Sequence, residues 1–149
     1  MPSETFAWLS RFKEIERDYQ ATCLATSHLL RCVQAGSLPL TGGLTILDIN
    51  RALEHLDGIY LTNLFSEFER GLKWFLRARK LKIPRPAERL INRVAARVRI
   101  AGDLLTRAHA VREYRNKLVH HLTVETESFT LSEARQCLCS FFARLQTAW

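Results

Sequence analysis

The sequence predicts an all-α protein: an up-down helical bundle of about five helices in one domain, residues 1–149. Apolar residues recur every three or four positions along almost the whole chain, which is the period of an amphipathic helix. No two segments alternate polar and apolar residues in the way that paired strands require. Breaks rich in glycine and proline separate the periodic stretches, so helices joined by loops are expected.

The first two predicted helices are the longest. The first covers about residues 3–33, and a nine-residue break rich in glycine follows it. The second begins with Asp48 as its N-cap and ends near Arg79, before two prolines. Their apolar stripes are, in the first, Trp8, Phe12, Ile15, Tyr19, Thr26, Leu29 and Val33, and in the second, Leu53, Leu56, Tyr60, Leu64, Phe68, Leu72 and Phe75.

Three shorter helices follow. The third covers about residues 86–98, with Pro86 in its first turn, and the fourth about 102–121. The polar stretch 123–130 is expected to be a loop or a short extended piece. Thr130 and Glu133 have the spacing of a capping box and start the last helix. The residues expected to be buried are Leu90, Ile91, Val94 and Val98 in the third helix, and Ala134, Leu138, Phe141, Phe142, Leu145 and Trp149 in the last.

Composition excludes several classes of protein. A chain of 149 residues with 47% apolar residues buries a core without metals or disulfides. Its four cysteines, Cys23, Cys32, Cys137 and Cys139, lack zinc-site spacing and are expected to be buried free thiols. We therefore expect no metal and no cofactor. No basic, apolar leader and no membrane-spanning run is present, so the expected location is the cytoplasm.

Positive charge is concentrated in one segment. The net charge of the chain is +7. Between Arg70 and Arg99 there are eleven basic residues and one acidic residue, Glu88, so this segment carries +10 and the remainder −3. Four of the arginines recur every fourth residue and form one ridge, which we call the basic ridge: Arg85, Arg89, Arg93 and Arg97. A phosphate backbone is the expected partner of the ridge, although a solvated helix face has the same pattern.

The fourth helix interrupts its own apolar pattern. At about 100° per residue, six apolar residues fall within roughly 60° of Arg115 on the helical wheel: Leu104, Ala108, Val111, Leu118, Val119 and Leu122. A guanidinium stays charged, so its burial is costly unless something compensates for it. The sequence therefore predicts an acidic partner, a functional cleft or a subunit interface at Arg115.

Polar residues flank this arc on one side: Arg112, Asn116, His109 and His120. Asn116 and His120 are four residues apart and so are neighbours on the helix surface. An arginine beside an imidazole suits a phosphodiester, because arginine holds phosphoryl oxygens and histidine transfers protons near neutral pH. Asn116 is expected to orient either group, and Arg112 to assist with the phosphate.

The run Arg115-Asn116-Lys117-Leu118-Val119-His120 resembles the R-x4-6-H motif of HEPN domains. These domains are helical bundles, and many are metal-independent ribonucleases, among them toxins and defence proteins. As in those domains, the motif lies on a late helix that is followed by a loop and a final helix. The acidic, aromatic stretch 64–70 is also similar, and its Glu67 and Glu69 are possible supporting residues. The resemblance covers most of residues 49–149.

The resemblance implies a homodimer in which two Arg/His motifs share one composite cleft. It also implies RNA cleavage through the ribose 2′-hydroxyl, with Arg115, Asn116 and His120 as catalytic residues. HEPN toxins paired with a nucleotidyltransferase antitoxin often carry a tyrosine two residues after the motif histidine, where this chain has Leu122. Control by modification of that tyrosine is therefore in doubt, and other antitoxin partners remain open.

Other interpretations stay open at this point. Arg115 would be purely structural if it formed an ion pair with Glu67 or Glu69, and His120 would be an ordinary residue stabilised by the helix C-terminus. The alternatives to a ribonuclease are a non-catalytic module that binds RNA or a nucleotide, and a structural partner in a toxin–antitoxin pair.

Overall fold

The predicted all-helical bundle of five helices is confirmed. A computed structural model describes residues 4–148, with side chains up to Gln146, so predictions for Ser3 and Trp149 lie outside the described residues. The helices are α1 (Glu4–Gln34), α2 (Ile46–Ala78), α3 (Ala87–Val98), α4 (Asp103–His120) and α5 (Leu131–Ala143), and a 3₁₀ helix, Arg144–Ala148, follows α5. The described residues form no strand.

Cross-helix contacts define the arrangement. In α1 and α2, Arg11 pairs with Glu67 and Tyr19 bonds to Asp57, so the two helices are antiparallel. By the same reasoning α4 runs opposite to α2, and α5 opposite to both α4 and α1. Helix α3 lies beside α4 and runs opposite to it. Two contacts fix each direction: for α2 and α4, Phe65 with Arg115 and Gly58 near Leu118; for α4 and α5, Arg107 with Cys137 and Tyr114 with Phe129, which precedes α5; for α1 and α5, Glu16 with Arg135 and Phe12 with Phe142; for α3 and α4, Glu88 with Arg112 and Asn92 with His109.

The core is rich in aromatic residues and lies where α1, α2 and α5 meet. The Phe142 ring meets Phe12 edge-on at 5.5 Å between centroids, and Phe141 meets Phe68 at the same distance. Gly71 lets the helices approach: a Cβ there would come within 2.6 Å of the Phe142 ring. The fully buried aromatic residues are Phe12, Phe65, Phe68, Phe75, Phe141 and Phe142.

The two ends of the long helices are covered differently. We call residues 16–60 the hairpin half, and residues 4–15 and 61–78, with the helices around them, the core half. Within the hairpin half only Ile49 and Leu56 are buried. Tyr19 donates a hydrogen bond to Asp57, and the Thr22 and Tyr60 hydroxyls are 2.8 Å apart. The hairpin half is therefore held by polar contacts and a thin apolar seam.

Two helix starts differ in detail from the sequence predictions. The prediction that Asp48 caps α2 is wrong: Thr45 is the N-cap, and Asp48 is the third helical residue of a capping box. The Thr45 hydroxyl accepts from the Asp48 N–H, and the Asp48 carboxylate accepts from the Thr45 N–H at 2.8 Å. Pro86 is the N-cap of α3 rather than part of its first turn. The Thr130–Glu133 capping box is confirmed.

All four cysteines are free. Cys137 is buried, whereas Cys23, Cys32 and Cys139 are half-buried. None of the helices formed by residues 4–148 combines the length and apolar character needed to cross a bilayer.

Candidate functional site

Arg115 is half-buried on the side of α4 that faces α2. Its guanidinium carbon lies 5.3 Å from the centroid of the Phe65 ring, and its Nη1 donates a hydrogen bond of 2.7 Å to the Asn116 side-chain oxygen. Its Nε is buried and has no hydrogen-bond partner among the described residues. The aromatic face and the amide fix the guanidinium while leaving most of its N–H groups unused.

Arg115 forms no ion pair with a described carboxylate. Glu67, the first acidic candidate, lies 2.7 Å from Arg70 and 3.8 Å from Arg11. Glu69, the second, lies 3.8 Å from Lys73. Both glutamates are therefore engaged by other cations, and the purely structural ion pair considered for Arg115 does not form.

His120 is the last residue of α4 and is exposed. The next residue, His121, has left-handed backbone angles (φ 49°) and ends the helix, and its N–H donates to Lys117 O. No hydrogen bond to the His120 ring forms within the described part of the chain. The structure thus joins Arg115 to Asn116 directly, and it places His120 one turn beyond Asn116 on the same flank.

A polar seam between α3 and α4 holds the other two predicted residues. The His109 Nε2–H donates to the Asn92 side-chain oxygen at 2.8 Å. Burial lowers the pKa of His109, and the nearby Arg112 lowers it further. Arg112 is half-buried and lies 3.9 Å from Glu88 and 3.6 Å from Glu113. These contacts fix the orientation of α4 against α3 and partly offset the Arg112 charge.

The basic ridge lies on the exposed side of α3 and of the linker that precedes it. Arg85 precedes the helix in the linker, and the other three arginines are on α3 itself. All four are exposed. At the far end of the ridge, burial and the Arg97 charge both lower the pKa of Arg79, in that order. The structure therefore separates the predicted phosphate-binding residues: the ridge lies on α3 and in the linker before it, whereas Arg112 lies on α4.

A groove between α2 and α4 was not predicted from the sequence. It has a volume of about 720 Å³ and lies beside Gly58, where the Leu118 Cβ would be 3.9 Å from an added methyl group. His55, Asp57, Tyr114 and His121 are among its lining residues. Burial raises the pKa of Tyr114, and Asp57 adds to the effect. The sequence signal for this groove was a glycine on α2 opposite an apolar turn of α4, which becomes recognisable only once the two helices are paired.

Apolar side chains beside this groove are left uncovered. Ile59 is 53% exposed, Val119 41% and Leu122 46%. The apolar arc of α4 is therefore buried at Ala108 and Val111 but open to solvent near His120. These side chains are available to a partner, as are other exposed apolar residues of the chain such as Leu24 and Leu47.

Comparisons of the chain with protein-family models, with curated proteins and with solved structures found no match. The residues and their geometry therefore carry the functional argument. The resemblance of Arg115–His120 to the HEPN motif stays a prediction.

Arg115, Asn116 and His120, which we call the α4 cluster, offer a fixed cation, an amide and an exposed imidazole within two helical turns. This set suits an oxyanion at Arg115 and proton transfer at His120. Within the described residues no group of three or more His, Cys, Asp or Glu side chains is placed to hold a metal ion.

Proposed function

We propose that the chain is an endoribonuclease of the HEPN type, with a composite active site formed by two copies. The observation that carries this proposal is the half-buried Arg115 guanidinium, which stacks on Phe65, bonds to Asn116 and has no carboxylate partner in the described structure. A cation held this way is costly to fold unless an anion completes its surroundings.

The anion that suits this position is the phosphate of an RNA strand. A guanidinium binds two phosphoryl oxygens at once, and its charge is already fixed when the charge of the transition state develops. Asn116 holds Arg115 in orientation through their 2.7 Å hydrogen bond, and its NH₂ group stays available to a second phosphoryl oxygen.

The proposed reaction needs two proton transfers and no external oxidant or reductant. The ribose 2′-hydroxyl attacks the adjacent phosphorus and gives its proton to a base. The bond from phosphorus to the 5′-oxygen breaks, and that oxygen takes a proton from an acid. The products are a 2′,3′-cyclic phosphate and a 5′-hydroxyl end, and no metal is required in this scheme.

A second copy of the chain would supply the second proton-transfer group. The Arg115–Asn116 flank carries one exposed imidazole, His120, whereas the reaction uses a base and an acid. The uncovered apolar residues Ile59, Val119 and Leu122 lie around this end of α4 and give a two-fold partner a surface to bury. We therefore propose a homodimer in which both His120 residues face one cleft.

The test is RNA cleavage by the purified chain in the presence of a chelator. Arg115→Ala and His120→Ala are each expected to lower kcat/KM by about 100- to 1000-fold, the usual effect of removing one group that stabilises the transition state. Arg107→Ala removes an exposed guanidinium from the same helix, and His28→Ala an exposed imidazole from the hairpin half. Both controls should cleave normally, and unchanged cleavage by the two site variants would overturn the assignment.

A second candidate is a non-catalytic module that binds RNA. One observation favours it: no described residue hydrogen-bonds to the His120 ring to fix its tautomer. Binding of RNA by the four exposed arginines of the basic ridge does not require that ring. This function predicts salt-dependent binding of RNA with no cleavage between pH 5 and 9. If the purified wild-type chain binds RNA and leaves it intact, this candidate is favoured.

The biological setting that fits an endoribonuclease with this motif is a cytoplasmic toxin or defence protein. Such an enzyme requires restraint, so we also propose an antitoxin partner. The test is co-purification of the chain with the product of a neighbouring gene, and loss of toxicity in cells when Arg115 is replaced by alanine.

A further inference from the structure

A second groove lies between the linker that precedes α3 and α3 itself. It has a volume of about 590 Å³. Lys82 and Arg85 line it from the linker, and Arg89 and Arg93 line it from the helix. Half-buried Ile83 and Pro84 lie between the two sides. We call this the basic groove; it has a cationic wall on each side, and no carboxylate of residues 4–146 lines it.

The four cations of the basic groove are available to a ligand. Each is exposed, and none lies within 4.0 Å of a carboxylate belonging to the described residues. Elsewhere in the molecule, arginines with nearby carboxylates form pairs, as Arg70 does with Glu67 and Arg135 with Glu16. Uncompensated like charges around one groove repel each other, and a bound anion would relieve that repulsion.

The N-terminus of α3 adds to the positive potential of the basic groove. Pro86 is the N-cap and provides no side-chain hydrogen bond, so the first N–H groups of this 12-residue helix have no side-chain acceptor among the described residues. These groups carry part of the positive end of the helix dipole. Arg85 directly precedes the N-cap, and Arg89 is the third residue of α3. The one acidic residue of the first turn, Glu88, lies near Arg112 of α4 instead.

The spacing of the cations suits one extended polyanion. Arg89, Arg93 and Arg97 recur every fourth residue on α3, so each step covers about 6 Å and the three arginines span about 12 Å along the helix. Two cationic walls around one groove fit a single strand better than a broad duplex, whose recognition relies on contacts across a wide minor groove. No aromatic side chain of the described residues lines the basic groove, so base stacking and sequence preference are not expected there.

The α3–α4 seam connects the helix that carries the basic groove to the helix that carries Arg115. Asn92 contacts His109, and Glu88 contacts Arg112 one turn further on, so the two helices are antiparallel in register. Arg89, in the lining of the basic groove, follows Glu88 directly, and Arg112 lies one helical turn before Arg115 and Asn116. An RNA strand that runs from Arg115 past Arg112 along this seam would therefore reach the basic groove at Arg89.

We propose that the basic groove binds the backbone of single-stranded RNA, without sequence preference, as an extension of the Arg115 site. The extension rests on the proposed function, whereas binding of the strand in the groove does not. An acidic peptide is the competing occupant, and the regular spacing of the cations and the uncapped helix start favour a chain of phosphates.

Binding is measured by fluorescence anisotropy with labelled oligouridylates of 4, 8, 12 and 16 nucleotides, in an Arg115→Ala background that prevents cleavage. The test variant is Lys82→Gln/Arg85→Gln/Arg89→Gln/Arg93→Gln. The control removes four exposed arginines outside the groove: Arg17→Gln/Arg31→Gln/Arg51→Gln/Arg77→Gln. Circular dichroism establishes that both variants keep the helical content of the parent.

The test variant is expected to bind the 12-nucleotide strand at least about 10-fold more weakly. The slope of log K against log salt should fall by about 3, as expected for four lost phosphate contacts on a single strand. The control should keep that slope. Equal losses in the two variants would show that net charge alone binds RNA. Equal competition by poly-glutamate of matched charge would assign the groove to acidic peptides, and tighter binding of a duplex would also overturn the proposal.

The two proposals fail separately. If the strand binds through the basic groove but no RNA is cleaved by the wild-type chain, the endoribonuclease assignment is wrong and the groove assignment stands. If cleavage depends on Arg115 but the test variant has the same KM for long RNA as the wild type, the groove assignment is wrong and the enzyme stands.

Discussion

In the core half of the molecule, α1 and α2 are enclosed by the other helices, whereas in the hairpin half they contact mainly each other and the end of α4. The same two helices therefore have fully buried phenylalanines at one end and exposed leucines and isoleucines at the other. Leu24 and Leu47 in the hairpin half are 68% and 63% exposed, while Phe68 and Phe75 in the core half are fully buried.

This difference shows where rigidity and binding are located. Arg115 stacks on Phe65 of the core half, and the following turns of α4 extend over the hairpin half at Gly58 and Ile59. The candidate site thus lies at the boundary, with its cation fixed by the core and its apolar edge left open. A two-fold partner would close this edge.

The largest effect expected from the comparison is the loss of a core ring. Phe68→Ala removes a fully buried side chain from the core half and should lower the free energy of unfolding by about 3–5 kcal/mol. Ile59→Ala on the same helix, in the hairpin half, should change the monomer by no more than about 0.5 kcal/mol. Urea unfolding at low protein concentration measures both, and similar losses would show that the hairpin half is not open.

Two glycines of α2 are expected to give effects of opposite sign. Alanine favours a helix over glycine by about 1 kcal/mol. At Gly71 the new methyl group would meet the buried Phe142 ring at 2.6 Å, and overpacking of about 1–3 kcal/mol outweighs that gain. At Gly58 the nearest side-chain atom is 3.9 Å away, so Gly58→Ala should stabilise.

The midpoints of thermal unfolding of these two variants are the measurement. Gly71→Ala should unfold at a lower temperature than the wild type, and Gly58→Ala at a higher one. A stabilised Gly71→Ala variant would mean that the α2–α5 crossing relaxes easily and that the core half is less rigid than its buried rings indicate.

The helices and the core were largely predictable from the sequence, because both depend on local periodicity. Phe12, Leu64 and Phe141 follow the stripes that the sequence predicts and are buried. The start of α2 was misplaced because Thr45 and Asp48 are both good caps, and only backbone geometry shows that they form one capping box.

The candidate site was less predictable, because it depends on which apolar residues are covered. Helical periodicity places Val111, Val119 and Leu122 on one arc with Arg115, yet Val111 is buried and Val119 is 41% exposed. The prediction that Leu122 continues the arc is wrong, because α4 ends at His120, and Leu122 lies beyond it and is 46% exposed. No pattern within α4 reveals that its last turns pass beyond α3 and α5. Phosphate binding by the basic ridge stays a prediction. The basic groove could not be predicted, because it is formed in part by the 79–86 linker, whose path the sequence does not specify.

A smaller contrast is expected between the two capping boxes. Thr130 starts α5 in the core half, so Thr130→Ala should lower the free energy of unfolding by about 1 kcal/mol. Thr45 starts α2 at the tip of the hairpin half, where few contacts depend on the first turn. Thr45→Ala should therefore increase amide hydrogen exchange in the first turn of α2 while leaving global stability nearly unchanged. Equal global losses would argue that the hairpin half unfolds together with the core half.

The smallest effect concerns pH and the α3–α4 seam. The folded protein favours neutral His109, because burial and then Arg112 lower its pKa, so the unfolded chain, whose histidine pKa is about 6.5, binds that proton more tightly. The His109 contribution is therefore neutral above pH 6.5 and becomes destabilising as the pH falls toward the folded pKa. Between pH 7.5 and 5, the wild type should lose more stability than His109→Gln does.

Asn92→Asp is the matched test of this mechanism. It places a carboxylate where the amide oxygen now lies, 2.8 Å from the His109 Nε2, and an opposite charge at that distance favours the imidazolium. The loss of stability on acidification should then shrink or reverse, as followed by urea unfolding at the two pH values. An Asn92→Asp variant with the wild-type pH dependence would show that His109 does not titrate within the seam, and that the core half owes its acid sensitivity to other groups.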